Sequence, residues 1–236
     1  MTAWMIEVGG EKFDLQELLR LNSLSDLSIE EENGRFYLRA AEFNSYSDAH
    51  DVLNRGIEIL SVINGIAQIE IANWENVKVI GVARDEANDT RTQFVFPLSF
   101  RGRSRMSVNA TVVKADGSID ISTQSTFESF LQIARREASI EKALRIYGSR
   151  EHSWSNLYII YEIIESSAGG KSVIVNNGWI SNSQIEKFKR TANSVTVAGD
   201  NARHGKENTD PPSQPMLLSE ADSLMESLLR EWLLTK

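Results

Sequence analysis

The sequence predicts an α+β protein, in which a mostly antiparallel sheet with one long helix is followed by an α-helical bundle. Three observations carry that expectation. Short runs of alternating or β-branched residues, separated by turn residues, fill much of the first 114 positions. The pair Asn33-Gly34, the favoured two-residue hairpin turn, stands between two of these runs. From Ser125 onward the apolar residues recur at three and four instead of two. The change of period places the boundary near residues 116–126, with an α+β domain over 1–120 and a helical bundle over 126–236.

In chain order, residues 4–8 read as a first strand ended by Gly9-Gly10, and residues 13–21 begin a short helix. Residues 27–31 and 35–41 form the hairpin around Asn33-Gly34, with Phe36 and Leu38 on one side. Ser47 is expected to cap a helix through about Ile63 that ends at Asn64-Gly65. Its buried face is Ala49, Val52, Leu53, Ile57, Leu60 and Ile63. Residues 67–73, 77–84, 91–98 and 104–114 then read as strands, and Asp116-Gly117 as a turn.

In the second half, Thr126 is expected to cap a long helix to about Tyr147, ended by Gly148. Ser153-Trp154 opens another, striped by Leu157, Ile160, Tyr161 and Ile164 and ended by Gly169-Gly170. Residues 183–193 are a third, carrying Ile185 and Phe188. A loop over 194–215 holds Pro211-Pro212 and Pro215, which exclude helix. Ser219-Glu220-Ala221-Asp222 reads as a capping box for a last helix whose apolar stripe runs from Ala221 to Leu233.

Hydrophobic residues make up 41% and charged residues 25% of the 236, the balance of an ordinary globular chain. The absence of cysteine removes disulfides and thiolate metal sites. No basic leader or long apolar run is present, so a soluble, cytoplasmic protein without a membrane span is expected. The net charge of −8 is concentrated in the first half: residues 1–125 hold 12 Lys+Arg against 19 Asp+Glu, and residues 126–236 hold 13 against 14. An acidic chain binds nucleic acid poorly in general, so such a partner would require a local basic pocket.

Several motifs yield to plain readings. Gly169-Gly170-Lys171-Ser172 lacks the earlier glycine and preceding strand of a phosphate loop, and reads as a helix end followed by a turn. Arg101, Arg103 and Arg105 could grip a phosphate backbone, but alternate strand positions share a face, and a solvated edge that discourages edge-to-edge pairing is the favoured reading. Glu30-Glu31-Glu32 is expected to be a solvated tip. No spacing suits a metal centre, no cofactor is implied, and no nucleophile elbow occurs.

Of the three histidines, His50 is expected on an exposed first helical turn and His152 at a helix start, where it helps the cap. His204 is the candidate for chemistry, because Arg203 adjoins it and Arg190, Asn193 and Asn201 are close in sequence. An imidazole moves protons near neutral pH, and a guanidinium can hold an anion or stabilise developing phosphorane charge. In the alternative, His204 satisfies backbone groups in a loop and Arg203 pairs with Asp200 or Glu207.

This region resembles the HEPN superfamily of helical-bundle domains. The resemblance rests on the helix series over 126–236, on Trp154-Ser155-Asn156-Leu157-Tyr158, and on the Arg/Asn/His stretch before an amphipathic terminal helix. It implies a metal-independent ribonuclease, or an effector derived from one, of the kind found in toxin–antitoxin, CRISPR and anti-phage defence systems. RNA would be the partner, often at a site shared across a homodimer, and the 2′-hydroxyl would attack the adjacent phosphate. His204 would be the acid/base, Arg203 or Arg190 the phosphate stabiliser, and Asn193 or Asn201 the supporting polar group. The acidic first domain would sense or regulate. The chain departs from the family pattern in that Arg203 touches His204, while Arg190 stands fourteen residues before it. The expectation from another class is a non-catalytic binding or scaffold protein, with a protein partner, that dimerises through the Leu224 to Leu233 stripe.

Overall fold

The computed structural model describes residues 3–21, 23–86, 90–94, 121–149, 151–199, 202–203 and 210–236. The fold is α+β, an antiparallel sheet with a long helix followed by a helical region. It divides into two compact units: residues 1–60 with 70–129, and residues 61–69 with 130–236.

In the first unit the sheet runs β2 (Ser23–Leu24), β3 (Leu27–Glu32), β4 (Arg35–Ala40), β1 (Ala3–Gly9), β5 (Lys78–Asp85) and β6 (Arg91–Phe94) in space. Every pairing among these strands is antiparallel. The hairpin turn is as expected, with Asn33 at φ 54° and Gly34 at φ 76°, the left-handed pair that matches strand twist. Ile6 pairs with Leu38 on one side and Val82 on the other, which puts their side chains on one face. A register shift between Glu7 and Val8 sets Val8 opposite Val79, so β5 carries one additional residue there.

Helix α1 (Lys12–Leu21) buries Leu15, Leu18 and Leu21. The helix α2 (Ala49–Glu70) begins one residue later than expected, capped by Asp48, whose Oδ1 accepts the His50 amide at 2.6 Å. Its Gly56 lies against Ile6 of β1. The helix does not end at Asn64-Gly65 but continues to Glu70, and residues 67–73 are not a strand. Gly65 is required by packing: a Cβ there would stand 2.4 Å from the carbonyl oxygen of Leu144. Ile63, Ile66 and Ala67 extend the helical stripe past the glycine, all fully buried.

The opposite sheet face also holds buried residues, Met5, Tyr37 and Ala83. Tyr37 therefore packs as well as Phe36 and Leu38, on the other side. Around it, Arg39 pairs with Glu30 at 2.8 Å and Glu32 at 2.6 Å, and Arg91 pairs with Glu32 at 2.8 Å and Asp85 at 2.7 Å. The Arg91 guanidinium lies 4.8 Å from the Tyr37 ring centre. The acidic run is thus no simple solvated tip: strand alternation turns Glu30 and Glu32 toward these arginines. Strand positions 95–98 and 104–114 and the turn at 116–117 lie outside the described residues, as do Arg101, Arg103 and Arg105.

The second unit combines residues 61–69 of α2 with helices α3 (Ile121–Arg136, from Phe130 onward), α4 (Ala138–Ser149), α5 (Trp154–Ala168), α6 (Lys171–Asn176), α7 (Asn182–Ala192), α8 (Val195–Ala198) and α9 (Leu218–Leu234). The long helix expected from Thr126 starts five residues earlier and is interrupted at Glu137. Glu137 stands just before α4, its carbonyl accepting the Glu141 amide, while its carboxylate meets Lys236 at 2.8 Å. Ser153 caps α5 and Gly169, at φ 93°, ends it, as expected. The Gly170-Lys171-Ser172 turn opens the short α6, and Lys171 pairs with Glu186 at 2.9 Å. Helix α9 starts at Leu218, capped two residues before the expected Ser219, and the carboxylate that accepts the N-cap amide is Glu220 (Leu217 N, 2.8 Å) and not Asp222 of the expected box.

Helix α5 is central, packed against α4, α7 and α9. Phe188 of α7 sits among Trp154, Tyr158 and Tyr161, with ring centres 5.7–6.2 Å apart. The stripe from Leu224 to Leu233 points inward: Met225, Leu228 and Leu229 are fully buried and Leu224, Trp232 and Leu233 nearly so. A dimer through that stripe would have to dismantle the core, so the stripe is an intramolecular face.

Candidate functional site

The loop expected to carry chemistry is stapled at both ends to the last turn of α7. Before the undescribed residues 204–209, the Arg203 amide donates to the Ala192 carbonyl at 3.0 Å. After them, the Arg190 guanidinium donates to the carbonyl oxygens of Asp210 and Pro211, each at 3.1 Å. Thr191 adds a third tie: its hydroxyl donates to Lys187 O at 2.7 Å and accepts the Met216 amide at 3.2 Å. A helix C-terminus offers free carbonyls, and here Ala192 gives one to the incoming chain.

Arg203 is held by an aromatic ring and a carboxylate. Its guanidinium carbon lies 4.1 Å from the Tyr158 ring centre, and its Nη2 donates to Glu162 Oε1 at 2.6 Å. Tyr158 and Glu162 are four residues apart on α5, one above the other on the same face. Asn193 caps the end of α7, its side-chain amide donating to Lys189 O at 2.8 Å. Asn193 Oδ1 and the fully buried Ser194 Oγ have no partner among the described residues, and both adjoin the Ala192 staple. His204 and Asn201 lie outside the described residues. Of the expected site residues that are described, Arg203 contacts α5, Arg190 contacts the 210–211 carbonyls, and Asn193 closes a helix; their side chains use separate partners.

A second polar cluster was not visible as such in the sequence. His152, expected as a capping aid, donates from Nδ1 toward Asp222 Oδ1 at 2.7 Å and from Nε2 toward the Tyr147 carbonyl at 2.8 Å. A carbonyl and an ionised carboxylate both accept, so the doubly protonated ring satisfies both contacts at once. Burial alone would lower the His152 pKa, but the Asp222 carboxylate and the Tyr147 carbonyl together raise it. The Tyr147 ring stacks on the imidazole at 4.3 Å, and its hydroxyl donates to Asp222 at 3.3 Å. Burial, and next the Asp222 charge, raise the Tyr147 phenol; the same two causes raise the Glu226 carboxyl. With both nitrogens engaged, this histidine ties the α4–α5 connection to α9 and offers no free lone pair to a substrate.

Clefts are also present among the described residues. One, of about 670 Å³, lies between α7 and α9 and is lined by Trp179, Lys187, Glu220, Ser223 and Ser227 among others. Another, of about 550 Å³ in the first unit, is lined by Trp4, Asp48, His50, Arg84 and Phe94 among others. His50 is exposed there, as expected. Among the described residues no group of His, Asp and Glu could hold a metal ion, and no helix is long and apolar enough to cross a membrane. No protein-family model, curated protein or solved structure matches this chain.

Proposed function

We propose that the helical unit is a metal-independent RNA-cleaving effector of the HEPN type, regulated by the acidic first unit. In this reading His204 removes the proton of an RNA 2′-hydroxyl as that oxygen attacks the neighbouring phosphorus. The bond from phosphorus to the 5′-oxygen breaks, and an imidazolium returns a proton to the leaving oxygen. Arg203 stabilises the negative charge on the pentavalent phosphorus. Arg190 and Asn193 are given structural parts, because the loop carbonyls and the α7 terminus already engage them.

The observation that supports this reading best is the anchoring of Arg203. A guanidinium 28% exposed, fixed on a packed ring and next in sequence to the only histidine of this loop, is a preorganised cation at the surface of an otherwise acidic chain. The test is incubation of the full chain with single-stranded RNA in the presence of EDTA. Cleavage by the wild type is expected, lost in His204→Ala without a change in melting temperature. Absence of cleavage across varied RNAs, or unfolding of the variant, would count against it.

A binding role without cleavage is the second reading, favoured by one surface. Leu217 and Leu218 are 66% and 40% exposed at the start of α9, beside the 670 Å³ cleft. A Leu217→Ser, Leu218→Ser variant that loses self-association or a partner while keeping its melting temperature would support that reading.

A further inference from the structure

We propose that Glu162 is a latch on Arg203, holding the guanidinium over Tyr158 until a phosphodiester takes the place of the carboxylate. The inference deepens the reading above and rests on it for the identity of the anion.

Helix α5 contains Tyr158-Ile159-Ile160-Tyr161-Glu162-Ile163-Ile164-Glu165, two Tyr–Glu pairs at a spacing of four. Each glutamate therefore stands one turn beyond its tyrosine on the same face. Each pair receives a cation from outside the helix. Lys189 lies 4.9 Å from the Tyr161 ring centre and 3.6 Å from Glu165. Arg203 lies 4.1 Å from the Tyr158 ring centre and 2.6 Å from Glu162.

The two pairs differ in what else restrains the carboxylate. Glu165 accepts the Tyr161 hydroxyl at 2.8 Å, and Tyr161 is fully buried, so a packed group restrains that carboxylate. The Glu162 side chain is 45% exposed, and its bond is to Arg203. It can rotate into water without disturbing any packed group.

Arg203 need not move for this exchange. Its backbone is tied to Ala192, and the Tyr158 ring beneath it is stacked on Phe188 at 5.7 Å and 25°. The cation is thus presented on a fixed platform while its counter-ion faces solvent. A carboxylate and a phosphodiester both offer two anionic oxygens to a guanidinium, so one competes directly with the other. An ion pair this open to solvent is weak, which lets a polyanion displace it. Glu162 would then hold the site closed to isolated small anions and yield to RNA, whose neighbouring phosphates add attraction.

The test uses the full chain and a fluorescein-labelled, 2′-O-methylated RNA oligonucleotide, which lacks the attacking hydroxyl and cannot be cleaved by this chemistry. Fluorescence anisotropy should show Glu162→Gln binding about fivefold tighter than wild type, the equivalent of releasing one exposed ion pair. Arg203→Ala should bind more weakly than wild type, and Glu162→Gln combined with Arg203→Ala no tighter than Arg203→Ala alone. Should Glu162→Gln lower the melting temperature, Glu162→Asp, which keeps the charge but shortens the reach, should still tighten binding. No gain from either variant, a gain that survives Arg203→Ala, or no binding by any variant overturns the latch. Cleavage of ordinary RNA without the gain would remove the latch alone. A gain through Arg203 in a chain that never cleaves RNA would remove the nuclease reading alone.

Discussion

His152 couples the helical unit to pH. Its folded pKa is raised by Asp222 and the Tyr147 carbonyl against the opposing effect of burial, so the folded state holds the proton more tightly than the unfolded chain. The stabilisation is then complete below the unfolded value, near 6.5, and is lost as pH rises through the higher folded value. Denaturant unfolding across neutral pH should show stability falling on the alkaline side in wild type, and a flatter profile in His152→Gln. At slightly acid pH the variant should be about 1 kcal/mol less stable, a charged hydrogen bond discounted for the exposed side of Asp222. Parallel profiles would refute the assignment. Gly148 has no room for a side chain. A Cβ there would stand 2.0 Å from Ser61 O and 2.3 Å from Gly65 N, both backbone atoms that cannot step aside. Gly148→Ala should therefore cost about 3 kcal/mol in urea unfolding, the upper range of overpacking.

Helix α2 runs through residues that have the composition of a terminator. Asn64-Gly65 has the composition of a helix end, yet both positions are helical and Gly65 marks the place where another backbone passes. At the other end, Ser47 and Asp48 are both good caps, and only the geometry selects Asp48. Asp48→Ala should lower stability by about 1 kcal/mol, while Ser47→Ala should leave it nearly unchanged. Thermal unfolding of the two variants separates them; equal losses would contradict the assignment. Helix α9 is the parallel case: its cap falls at Leu217 with Glu220 as the carboxylate, two residues before the Ser219–Asp222 pair that the pattern offered.

The helical unit includes nine residues, 61–69 of α2, that are separated from the rest of it by residues 70–129. Ile63, Ile66 and Ala67 are fully buried, and Arg230 of α9 donates to the Ile69 carbonyl at 3.2 Å. A fragment of residues 121–236 would leave the Leu144 and Gly148 surface of α4 uncovered. It should lack a cooperative thermal transition, and a peptide of residues 49–70 added in trans should restore one, read by circular dichroism. A cooperative transition in the fragment alone would show that this segment is dispensable.

Periodicity and turn chemistry in the sequence determined the α+β class, the Asn33-Gly34 hairpin, both ends of α5 and the amphipathic last helix, because each depends on residues close in the chain. Arg203 could be singled out by its position beside His204, but its contacts with Tyr158 and Glu162 span more than forty residues and leave no local pattern. The His152–Asp222 bond spans seventy, and neither residue has a periodic neighbour that announces the other. Only the tertiary structure decided that the Leu224 to Leu233 stripe is covered from within, since an apolar helix face has the same sequence whether its own core or a partner buries it. It likewise decided that Gly65 is a contact and not a stop, because the atom that excludes a side chain there belongs to Leu144, far along the chain.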